Sequence, residues 1–224
     1  MPNFSYSLNS KLPKVGTTIF TVMSKLAQEH NAINLSQGFP NFPCSSDLVA
    51  LVNKYMQQGQ NQYAPMQGVL PLRAAISQKT NKLYGCNYSP DTEITITAGA
   101  TQAIFTAITA VVNHGDEVIV FSPAYDCYEP AIELNGGKTI HVELDFPSYT
   151  INWEKVKKVI NHRTRMIVIN TPHNPSGSIL KKHDLQALEK ITSGTDIIVL
   201  SDVVYEQMLF DGNKQERVSN YSEL

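Results

Sequence analysis

With 224 residues and a formal net charge of −2, the chain is long enough for one sizeable α/β domain with a proper core. Its Lys and Arg residues are scattered and form no basic stripe, which argues against nucleic acid as a partner. The longest apolar stretches, such as Ala107 to Val112 broken only by Thr109, are too short to span a bilayer, so a membrane partner is not expected.

The first residues, M-P-N-F-S-Y-S-L-N-S-K, lack a charged segment followed by an apolar one, so they do not read as a secretory signal. Cys44, Cys86 and Cys127 are odd in number and have no C-x-x-C spacing. They read as reduced thiols in a cytoplasmic protein, not as a disulfide frame or a metal site. Residues 1–17 are polar without a sustained period and read as an arm. Thr18 to His30 places Ile19, Val22, Met23 and Leu26 at helical spacing. Residues 34–43 are rich in turn formers, and Gly38 offers either a structural turn or close backbone approach to a ligand. Ser46 to Gln58 reads as a second helix with Asp47 in its first turn. Asn61 to Gly68 is a loop carrying Tyr63, and Leu70 to Leu83 is a third helix stopped by Gly85.

From there strand and helix patterns alternate. Strands are expected at Glu93–Thr97, Glu117–Phe121, Lys138–Leu144, Met166–Asn170 and Ile197–Leu200. Helices are expected at Thr101–Asn113, Ala131–Asn135, Trp153–Ile160 and Leu180–Thr192. That alternation predicts a mostly parallel, doubly wound α/β sheet. The run Ile197 to Leu200 is continuously apolar, the mark of a strand buried on both faces, and it ends in Ser201-Asp202.

Four strand ends carry chemistry. Ala100, Thr101 and Gln102, after Gly99, open a helix whose positive end and small residues suit an anion such as phosphate; there is no dinucleotide fingerprint. Tyr125 can stack on a flat ring or simply pack. Asn174, held between Pro172 and Pro175, can hydrogen-bond a ligand oxygen or form an Asx-turn. Asp202 either caps a following helix or presents a carboxylate in the crevice where open α/β sheets bind ligands, with Tyr205 close behind. Together these suit a phosphorylated, protonatable heterocycle, and pyridoxal 5'-phosphate is the obvious candidate.

The segments N-L-S-Q-G-F-P (34–40), N-Q-Y-A-P-M-Q-G (61–68), T-A-G-A-T-Q-A (97–103), G-D-E-V-I-V-F-S-P-A-Y-D-C-Y-E-P (115–130), N-T-P-H-N-P-S-G (170–177) and S-D-V-V-Y-E (201–206) carry a resemblance. The chain resembles the N-terminal part of a fold-type I, class I/II pyridoxal-phosphate aminotransferase, in particular the methionine and kynurenine branch. The resemblance implies an N-terminal arm with part of the small-domain and substrate region over residues 1–45, and an incomplete large domain over 46–224. It implies that Asp202 pairs with the ring nitrogen, that Asn174 and Tyr205 hydrogen-bond the ring's phenolic oxygen, and that Tyr125 stacks on the ring. Ala100, Thr101 and Gln102 would hold the phosphate, Tyr63 would reach the phosphate of the neighbouring subunit in a homodimer, and Gly38 would line the substrate-carboxylate pocket. The substrates would be an amino acid (methionine-, glutamine- or aromatic-like) and a 2-oxo acid. The family's Schiff-base lysine has no match here. Lys214, in D-G-N-K-Q-E-R, lacks its flanking pattern, so the expectation is a catalytically incomplete fragment with no catalytic residue of its own. A carbon–sulfur β-lyase on the same fold, and a non-catalytic cofactor-binding remnant, are the alternatives.

Overall fold

The apolar runs of the second half of the chain assemble into a four-stranded parallel sheet. The computed structural model describes residues 9–13, 15–38, 40–214, 216–221 and 224; the arm expected at residues 1–17 lies partly outside them. The chain divides into two compact units, Met1–Pro65 and Met66–Leu224.

In the first unit, α1 (Ile19–Glu29) is started by Thr18, whose hydroxyl accepts from the Thr21 N–H. Helix α2 (Ser46–Gln57) follows with Asp47 in its first turn, where a negative charge complements the helix dipole.

In the second unit, α3 (Leu70–Tyr84) has Pro71 in its first turn and ends at Gly85, which adopts the left-handed conformation with φ of 71°. Its Arg73 is buried because the guanidinium donates to the carbonyls of Gly68 and Pro90. Helix α4 (Ala100–Val111) leads to β1 (Glu117–Ser122), α5 (Tyr128–Leu134), β2 (Lys138–Glu143), α6 (Trp153–Val159), β3 (Thr164–Asn170), α7 (Lys182–Thr192) and β4 (Ile198–Asp202). A 3-10 turn, Val218–Asn220, follows further along the chain.

The strand order is β2-β1-β3-β4, with every pairing parallel. Alternate residues of the strands feed two cores. Val118, Val120, Met166 and Val168 pack with Ile104 and Ile108 of α4 and Ile132 of α5. Ile119, Ile167 and Ile169 pack on the other face with Val156 of α6 and Leu185 and Leu188 of α7. The sheet is therefore covered by helices on both faces, as expected for a doubly wound fold. Ile108, Ile119 and Ile167 are fully buried, each worth about 1.5–3 kcal/mol of apolar burial.

Two expectations need correction. Glu93–Thr97 forms no strand: its Ile96 N–H donates to the Gln67 carbonyl at 2.9 Å, but no described strand runs beside it to complete a ladder. β-branched composition favours extended backbone, and only a neighbour makes it a strand. The second concerns β4, whose Ile198, Val199 and Leu200 touch both cores yet are only half-buried, because β4 is an edge strand of this sheet.

Candidate cofactor site

Parallel strands deliver their carboxyl ends to one edge of the sheet, and a cavity of about 230 Å³ opens there. It is lined by Ala100, Thr101, Tyr125, Asn170, Asn174, Asp202, Val204 and Tyr205. Six residues that the sequence pointed to are thus brought together around one hollow. Gln102 is not among the lining residues; its side-chain oxygen accepts from the Ala98 N–H at 2.5 Å and so pins the turn before α4. Gly38 and Tyr63 belong to the Met1–Pro65 unit, where Tyr63 is fully exposed. Lys214 is exposed, and no lysine among the described residues lines the cavity.

The anion-holding end is built by backbone. Gly99, with φ of 82°, turns the chain into α4 in a conformation that side chains rarely adopt. The first-turn N–H groups of α4 have no acceptor within the helix, and two residues of that turn, Ala100 and Thr101, line the cavity. The Thr101 hydroxyl adds a donor at the same place.

Asp202, the last residue of β4, is 7% exposed. It caps no helix, since the residues after it are irregular. Its backbone carbonyl accepts from the Thr171 N–H and the Asn170 side-chain amide, each at 3.1 Å. Its Oδ2 accepts from the Tyr128 hydroxyl at 2.6 Å. Its Oδ1 takes no hydrogen bond from the described residues, so one carboxylate oxygen remains available on a residue lining the cavity.

Asn170 stands directly opposite Asp202 in the β3–β4 register. Its Oδ1 accepts from the Asn174 N–H at 2.7 Å and braces the loop after β3. Asn174 in turn donates its amide to the Tyr205 hydroxyl at 3.4 Å. Between them His173 is buried against Ser176, and that burial holds its imidazole below the usual histidine range, against an opposing contribution from the Pro123 backbone. The segment carrying Tyr205 is tied down through the next residue: Glu206 pairs with Arg217 at 2.7 Å, and the Arg217 guanidinium lies 3.4 Å from the Tyr84 ring centre.

Tyr128, Asn170 and Val204 were missed by sequence reasoning. Tyr128 had a signal, its position three residues after Tyr125 on what becomes the start of α5. Burial, then the hydrogen bond to Asp202, raise its phenol far above the usual tyrosine range. Neighbouring Cys127 is pushed up to about 12 by burial and by the charges of Asp202 and Asp126.

Around the cavity stand first-turn backbone amides, a carboxylate oxygen of Asp202 with no partner among the described residues, an aromatic ring, a side-chain amide and a phenol, a set suited to a phosphorylated aromatic heterocycle. A doubly wound fold with such a hollow at the strand carboxyl ends is that of the open α/β proteins that bind ligands in this crevice. The family model for aminotransferases of class I and II matches residues 30–224, and the chain belongs to that family. It is 51% identical over 201 residues to the methionine aminotransferase of Escherichia coli (strain K12), covering 90% of this chain and 52% of that protein. It is 32% identical to the human kynurenine–oxoglutarate transaminase 1, covering 88% and 50%. The solved structure of an Escherichia coli protein described as having a methionine aminotransferase function superposes with a TM-score of 0.92 at 48% identity, covering 95% of this chain and 56% of that one. The chain spans about half the length of the curated relatives it matches. No helix among the described residues is long and apolar enough to cross a membrane.

Proposed function

We infer that these residues form the cofactor floor of a pyridoxal-phosphate-dependent aminotransferase that moves the amino group of a methionine-like amino acid to a 2-oxo acid. The observation carrying this reading is the single cavity shared by Ala100, Thr101, Tyr125, Asn174, Asp202 and Tyr205. Members of the family use pyridoxal phosphate, which supplies an electron sink for the pair left at Cα when a substrate proton departs. The chain's own residues position and polarise that ring. Asp202 offers its free oxygen to the ring nitrogen and, as a nearby anion, favours the protonated form. Tyr125 covers a ring face. Asn174 and Tyr205 would hydrogen-bond the phenolic oxygen, and the first-turn backbone N–H groups of Ala100, Thr101 and Gln102, with the Thr101 hydroxyl, would take the phosphate.

Because no lysine among the described residues lines the cavity, the 224 residues alone are expected to bind the cofactor without a covalent link and not to turn over. In the complete enzyme Gly38 lines the substrate-carboxylate pocket, and Tyr63 reaches the phosphate of the second subunit of a homodimer. A cytoplasmic location fits the three free cysteines.

The test is to incubate the complete enzyme with methionine, pyridoxal phosphate and a 2-oxo acid and to follow the products. The reading expects a new amino acid formed from the 2-oxo acid in step with methionine loss. Ammonia release that needs no 2-oxo acid would assign a β-lyase, and no reaction with any amino acid would assign a remnant.

A further inference from the structure

Asp202 needs more than its place at the end of β4. A carboxylate on a strand end can rotate, and a ring nitrogen is met only by an oxygen held in the ring plane. The side chain that fixes it is Tyr128. Its hydroxyl donates to Oδ2 at 2.6 Å across 74 residues of sequence. The ring that carries the hydroxyl is itself immobilised: Tyr128 is 2% exposed and sits in the core with Ile104, Ile108, Ile132 and Met166. The same ring meets Tyr125 edge to face, with centroids 6.0 Å apart and planes at 73°. One buried tyrosine thus touches both the acid and the stacking ring.

We propose that Tyr128 is a positioning residue that sets Asp202 and Tyr125 jointly, committing Oδ2 to protein so that Oδ1 alone faces the ring nitrogen. This deepens the cofactor reading above and rests on it. The phenol suits the task because burial keeps it a donor at any physiological pH, so Asp202 always receives a proton donor there and never a competing charge. A second carboxylate oxygen left free would let Asp202 swing or hydrate, and the ring nitrogen would lose its fixed partner.

The test uses the complete enzyme stripped of cofactor, with pyridoxal phosphate and its 1-deaza analogue, which lacks the ring nitrogen, as probes. In the unaltered enzyme pyridoxal phosphate should bind more tightly than the analogue. Tyr128→Phe, which keeps the ring and the packing, should weaken pyridoxal phosphate roughly tenfold while leaving the analogue within about twofold. Asp202→Ala, which offers the ring nitrogen neither acceptor nor donor, should abolish the discrimination between the two probes. In the Asp202→Ala background Tyr128→Phe should have no further effect on the ratio, because the two residues act as one unit. Discrimination that survives Tyr128→Phe while Asp202→Ala removes it would overturn the positioning role alone. Discrimination that survives Asp202→Ala would overturn the cofactor reading itself. Should the phenylalanine variant melt too low to load, 3-fluorotyrosine at position 128 keeps the shape and strengthens the donor. It should sharpen the discrimination, and an unchanged ratio would count against the proposal.

Discussion

Two buried carboxylates stand at opposite strand ends of the same sheet, one at an amino end and one at a carboxyl end, and they are treated differently. Glu117 opens β1 and is 4% exposed; Asp202 closes β4 and is 7% exposed. Both oxygens of Glu117 are committed, Oε2 to the Asn161 amide and Oε1 to the Arg163 guanidinium, each at 2.8 Å. The Asn161 hydrogen bond, and then the Arg163 and Lys138 charges, hold its carboxyl below the usual range against the opposing effect of burial. Asp202 has one oxygen committed and one without a partner among the described residues. A buried charge is costly unless paired, so a saturated carboxylate is a structural part and a half-saturated one awaits a ligand. Conventional burial does not separate the two; counting the partners of each oxygen does.

The largest effect should come from breaking the ligand side. Asp202→Asn in the complete enzyme should lower kcat/KM for amino transfer by roughly 10²–10³-fold, the scale of removing one aimed electrostatic group, with the melting temperature little changed. Equal loss from Glu117→Gln would erase the distinction. Next, Thr101→Ala should weaken pyridoxal phosphate about fivefold, the loss of about one hydrogen bond, and should leave the affinity for phosphate-free pyridoxal unchanged in the same equilibrium titration.

On the structural side, Glu117→Gln should cost about 1–2 kcal/mol of stability, the scale of a hydrogen bond to a charged group, with cofactor affinity intact. The folded-state carboxyl is lowered, so its contribution is complete above the ordinary glutamate value of about 4.3 and is lost as pH falls below it. The melting-temperature gap between Glu117→Gln and the unaltered protein should therefore narrow on acidification. A gap that widens toward acid would reverse the assignment. The smallest effect is chemical. With its thiol raised to about 12, Cys127 should resist iodoacetamide near neutral pH while exposed Cys44 reacts, as peptide mass mapping would show.

Much of this was legible from residues alone where the signal was local. The apolar run before Asp202 and the small-residue turn before α4 located two cavity walls, because strand ends and helix starts are set by neighbours in sequence. Glu93–Thr97 failed for the opposite reason: its β-branched residues favour extension, but the pairing that defines a strand depends on what runs beside it. The partner of Tyr128 was invisible for a similar reason. The tyrosine's place three after Tyr125 is written in the chain, yet its bond to an aspartate 74 positions away exists only once α5 packs over β1 and β4 closes the edge. Asn170 looked like an ordinary strand end until the parallel register set it opposite Asp202.

The most direct test is a crystal structure of the complete enzyme with pyridoxal phosphate bound. The account predicts the phosphate against the first turn of α4, the ring covered by Tyr125, and its nitrogen within hydrogen-bond distance of Asp202 Oδ1 while Oδ2 keeps the Tyr128 hydroxyl. A cofactor seated elsewhere, or a ring nitrogen turned away from Asp202, would contradict it.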